Sequence, residues 1–139
     1  MDELDRAILA ELKTNARTPY TEIAERVGTS EGTVRNRVEG MLDDGVIERF
    51  TVTARTGNLR AMVEIDVAVD VDARALSAEF AEWQDVDFVW QVGGERDVVL
   101  VVDAADTDRL NDIISRARER SEVRDITSRL ILEERVGGG

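Results

Sequence analysis

Residues Tyr20–Arg37 read YTEIAERVGTSEGTVRNR, and the fold turns on how this stretch divides. Ile23, Ala24 and Val27 recur at helical spacing, which predicts a short amphipathic helix with one buried stripe. Gly28 follows, a residue that enters the left-handed region and ends a helix at no steric cost. Thr29 and Ser30 bring hydroxyls able to cap a second helix, whose apolar stripe continues through Val34, Val38 and Met41. Two helices this short need a third to close a core, and the upstream run Leu4–Leu12 (LDRAILAEL) provides it. Helix, turn and helix in this order form the unit whose second helix fits a DNA major groove. Three small packed helices with no nucleic-acid partner are the competing reading.

The outward side of the second helix favours the first reading. At ~100° per residue, turning Val34, Val38 and Met41 inward leaves Gly32, Thr33, Arg35, Asn36 and Glu39 facing out. Arginine and asparagine are the side chains suited to bidentate contact with guanine and adenine edges. Gly32 allows close approach, whereas Glu39 repels phosphate, so the amino-terminal half of the helix is expected to do the reading. Thr29 and Ser30 stand where a helix start meets phosphate. Arg37 lies on the flank and suits either an ion pair within the domain or a phosphate. The expected DNA-contacting set is therefore Thr29, Ser30, Gly32, Thr33, Arg35, Asn36 and Arg37.

A length of 139 residues fits one domain or two small ones. No apolar run approaches the ~18 residues of a membrane span, and the start carries no signal-peptide pattern, so a cytoplasmic protein is expected. Cysteine and histidine are both absent. That removes disulfides, thiolate nucleophiles, zinc fingers and imidazole acid–base chemistry, and weighs against an enzyme. No metal and no cofactor is expected.

A net charge of −12 is unusual for a nucleic-acid binder, so its distribution matters. Residues 1–60 hold eleven acidic and nine basic residues, while residues 61–139 hold nineteen and nine. Lys13 is the single lysine among eighteen basic residues. Acid excess with almost no lysine predicts a halophilic cytoplasm, where at 1 M salt a Debye length of about 3 Å leaves little repulsion toward DNA. Equal or greater thermal stability at low salt would count against that expectation.

Beyond the third helix, Val46–Thr53 (VIERFTVT) alternates and predicts a strand pair or wing. Thr56-Gly57-Asn58 is turn chemistry and marks a hinge. The second half then reads in order: a strand over 62–70 with Val63, Ile65, Val67 and Val69 on one face, a helix over 73–83, a strand over 86–92, a turn over 93–97, an apolar strand over 98–102, a helix over 106–120, and a strand over 123–133. Gly137–Gly139 reads as a frayed tail. The order β-α-β-β-α-β is ferredoxin-like. The expected class is α+β, with a winged helix-turn-helix domain over 1–54, a hinge over 55–61 and a ferredoxin-like domain over 62–136. Two helices cover one sheet face only. Val92, Val99, Val101 and Ile131 make the other partly apolar, which predicts dimerisation there.

Together these segments resemble the Lrp/AsnC family of prokaryotic transcription regulators, over nearly the whole chain. LDRAILAELKTNART is similar to that family's first helix and turn. TEIAERVGTSEGTVRNRVEGMLDDGVIERFTV is similar to its helix-turn-helix, with Arg37 at the usual arginine and Gly45-Val46-Ile47 at the usual helix exit. VGGERDVVLVV resembles the glycine-plus-aspartate hairpin of the effector (RAM) domain. The resemblance implies a homodimer, in that family often built into tetramers or octamers, binding double-stranded DNA at palindromic operators. It also implies an amino-acid effector held between effector domains, with Gly93, Gly94 and Asp97 at the hairpin and Ser128 where the last strand often carries a hydroxyl. Backbone N–H groups of a glycine turn suit a carboxylate, and Asp97 suits an α-ammonium; a tight hairpin alone would also use these residues. One departure is Arg96, where an aromatic commonly precedes the aspartate, and it bears on the kind of effector. Two other readings remain: a module that pairs with sister regulators while binding DNA weakly, and an enzyme like the sirohaem decarboxylases, which are expected to use histidines that this chain lacks.

Overall fold

The computed structural model describes residues 1–93 and 97–137. Contacts divide the described residues into two compact units, one of Met1–Ala54 with Val136 and Gly137, the other within Arg55–Arg135.

The first unit consists of α1 (Glu3–Thr14), α2 (Tyr20–Val27) and α3 (Glu31–Asp43). Each boundary has a local cause. Asp2 caps α1 in a reciprocal box with Asp5. Gly28 ends α2 in the left-handed region at φ 77°. Ser30 caps α3 by accepting from the Thr33 N–H. Ile8, Leu12, Ile23, Ala24, Val34, Val38, Met41 and Ile47 close the core between the three helices.

The alternation over 46–53 does not become a strand or wing. Ile47 is buried, and its N–H goes back to the Met41 carbonyl, while Val46, Phe50 and Val52 stay exposed. A strand exists only when its backbone groups are paired. None of the described residues offers this segment a ladder partner.

The second unit is a four-stranded antiparallel sheet, β1 (Leu59–Val67), β2 (Val86–Gln91), β3 (Asp97–Ala104) and β4 (Val123–Leu130), ordered β2-β3-β1-β4. Helices α4 (Ala73–Ala81) and α5 (Thr107–Arg118) complete the ferredoxin-like β-α-β-β-α-β arrangement. Ala61, Val63, Ile65 and Val67 of β1 and Val98, Leu100, Val102 and Ala104 of β3 meet Leu76, Phe80, Leu110, Ile113 and Ala117 of the helices. The register puts Met62, Glu64, Phe88, Trp90, Val99 and Val101 on the opposite face, which no helix covers. Val69, expected on the core face, is exposed instead, because β1 ends at Val67 and the chain turns there.

Candidate nucleic-acid interface

α3 presents the face that its periodicity predicts. Val34, Val38 and Met41 are buried, and Ser30, Gly32, Arg35, Asn36 and Glu39 are exposed, with Thr29, Thr33 and Arg37 half-buried. The Ser30 and Thr33 hydroxyls lie 2.9 Å apart, so Thr33 shares in the cap. An added Cβ at Gly32 meets nothing within 4 Å, so that stretch of backbone is open on its outer side.

Arg26, Arg35 and Arg37 are each engaged, and differently. Arg35 donates from Nη2 to Glu31 Oε1 at 2.5 Å, one turn back along α3, and its guanidinium lies over the Tyr20 ring, 5.3 Å from the centroid. The hydrogen bond to Glu31, then the Coulomb attraction of the same carboxylate, raise its pKa further. Arg37 turns inward to α1, with Nη1 2.5 Å from Asp2 Oδ2 and 3.2 Å from Asp5 Oδ1. That contact with Arg37, with the Asp5 backbone N–H second, lowers the Asp2 carboxyl to a pKa of about 2. Arg26 ties α2 to α1 through Glu11 at 2.9 Å and also pairs with Glu22 at 2.5 Å. Of the two roles open to Arg37, the ion pair within the domain is present in the structure.

The expected effector residues lie at one end of the sheet only in part. Gly93 is exposed just beyond β2, Gly94 lies outside the described residues, and Asp97 opens β3 opposite Asp66. On the open face at this end is a pocket of about 270 Å³ lined by Glu64, Ile65, Asp66, Val92, Val99, Asp125 and Thr127. Ser128 pairs with Val63, so it turns toward the helix-covered side and is exposed at the sheet edge. The hydroxyl in the pocket is that of Thr127, one residue earlier, which strand parity would have identified had the register been known.

Residues 1–42 match the AsnC-type helix-turn-helix domain, and residues 60–138 match the Lrp/AsnC ligand binding domain. The chain belongs to the Lrp/AsnC family. It is a transcription regulator with a helix-turn-helix domain and a ligand-binding domain, not an enzyme. It is 35% identical to the transcriptional regulator LysM of Sulfurisphaera tokodaii over 95% of both chains. With the regulator LrpA of Pyrococcus horikoshii it shares 34% identity over 83% of this chain and 84% of that one. The crystal structure of the Mycobacterium tuberculosis leucine response regulatory protein superposes with a TM-score of 0.83 at 26% identity, covering 100% of this chain and 97% of the other. Among the described residues, no helix is long and apolar enough to cross a membrane.

Proposed function

We propose that this Lrp/AsnC regulator reads a palindromic operator as a homodimer, with the amino-terminal half of α3 in the major groove. The single observation that carries this is the exposed row Gly32, Arg35 and Asn36 directly after a capped helix start. Arg35, Asn36 and Thr33 contact base edges, Thr29 and Ser30 contact phosphate, and Arg37 holds the flank through its tie to α1. The DNA-binding part spans 1–54, the hinge 55–61 and the effector part 62–136, in a cytoplasmic protein.

A second copy covers the helix-free sheet face, where Phe88 and Trp90 are both 47% exposed. Assembly of such dimers into tetramers or octamers uses other surfaces, since the dimer already occupies this one. The effector enters at this end of the sheet, beside Gly93 and the start of β3. A pocket lined by Glu64, Asp66 and Asp125 beside Val92 and Val99 suits an amino acid carrying positive charge, its ammonium on the carboxylates.

The test is Asn36→Ala on the preferred duplex, selected from random sequence and assayed at fixed salt. Specific binding weakens by about 1–3 kcal/mol and base preference relaxes at one position. Equal weakening on selected and random DNA would refute the assigned role.

A further inference from the structure

Arg35 is not a free arm on the reading face. Glu31 grips one nitrogen of its guanidinium at 2.5 Å, and the ring of Tyr20 lies beneath its plane, 5.3 Å from centroid to Cζ. Tyr20 comes from a different helix and is itself half-buried against the core of the three-helix unit, so the platform is fixed by the fold. Among the described residues, Nε and Nη1 of Arg35 donate to no protein group. We propose that Tyr20 and Glu31 are positioning residues that set Arg35 as a guanine reader and deny it to phosphate.

The proposal rests on the reading that Arg35 contacts bases, and the chemistry follows from the two contacts. A guanidinium held on one nitrogen and on one face loses less rotamer freedom when it meets a base than an unrestrained arginine does. Its unoccupied donors still form the fork that fits the O6 and N7 acceptors of guanine. The adjacent carboxylate offsets the positive charge and repels phosphate oxygens, while a neutral base edge meets no such repulsion. The pair therefore turns a general anion binder into a selective one. A bare arginine at this place would bind any duplex, because phosphates outnumber guanines on every sequence.

Selection from a randomised duplex pool with the full-length protein, followed by sequencing of the bound fraction, tests this. Wild type should show a guanine preference at one position that Arg35→Ala erases. Glu31→Gln and Tyr20→Leu should lower that preference about three- to tenfold while the other positions keep theirs. Glu31→Gln should also bind random duplex more tightly, and Tyr20→Phe, which keeps the ring, should match wild type. Should Arg35→Ala leave every preference unchanged, the base-reading role itself fails, and this proposal with it. Should Arg35→Ala erase the preference while Glu31→Gln and Tyr20→Leu preserve it, only the positioning role is overturned. An even loss across all positions in those two variants also overturns it, since that is what a loosened helix pair produces.

Discussion

Two glycines of α3 separate what the helix does for the fold from what it does for DNA. Gly32 lies in its first turn on the exposed side, and Gly40 near its end, half-buried. A Cβ built at either position meets nothing within 4 Å. In the free protein, alanine is therefore favourable at both, because it removes unfolded-state freedom and introduces no clash. The gain is up to about 1 kcal/mol at Gly40, which is still flanked by helical residues on both sides, and about 0.5 kcal/mol at Gly32 in the first turn. For a unit of this size, that raises the melting temperature by roughly 2–8 °C.

On DNA the two should part. At Gly32 the added methyl enters the space where a base edge or sugar-phosphate packs, at a cost of about 1–3 kcal/mol, or roughly five- to 150-fold in Kd. Gly40 follows Glu39 at the far end of the helix, and its alanine variant should bind within about twofold of wild type. Thermal unfolding by circular dichroism gives the stability arm. Fluorescence anisotropy with a selected duplex at one salt concentration gives the affinity arm, since affinity shifts steeply with salt. A Gly32→Ala protein that melts higher and binds as wild type would refute the placement of the α3 start against DNA. Equal loss in both variants would refute it too.

Two other outcomes follow from named contacts. The Arg37 contact and the α1 cap hold the Asp2 carboxyl at a pKa of about 2, against an ordinary value of 3.8. A depressed carboxyl adds stability that is fully present above its ordinary pKa and lost as pH falls toward the folded-state value. Urea midpoints measured from pH about 5 down to about 2 should therefore fall more steeply for wild type than for Asp2→Asn, and the two should converge at the acid end; parallel limbs would show that Asp2 is not linked to folding. In the second unit, Trp90 stands 47% exposed on the helix-free face, its ring centroid 6.1 Å from that of Phe88. Trp90→Glu should shift sedimentation toward the monomer with little change in melting, and an unchanged species distribution would show that this face is not where copies meet.

What could be read from the chain was whatever local pattern encodes. The ends of α2 and α3 follow from Gly28 and Ser30, which act on their own neighbours, and the face of β1 follows from period-two alternation, whereas the apolar run of β3 carries no such signal. What could not be read depends on partners distant in sequence. Arg37 finds Asp2 across 35 residues, and nothing in the spacing of α3 says that Tyr20 lies under Arg35. The effector end failed on parity. A one-residue step along β4 exchanges Thr127 for Ser128 across the sheet, and only the pairing with β1 decides which one lines the pocket.

The segment 46–53 failed for a different reason. Its alternation is a statement about two sides, one buried and one wet, yet in the single chain only Ile47 is buried and Phe50 and Val52 are left in solvent. Phe88 and Trp90 present the same inconsistency on the open sheet face, with large aromatic surface at positions where a sheet exposed to water would carry polar groups. Evolution has no use for apolar alternation that is never covered, since it only promotes indiscriminate association. We propose that both patterns belong to a surface that a second copy completes, and the mismatch between pattern and burial supports that reading.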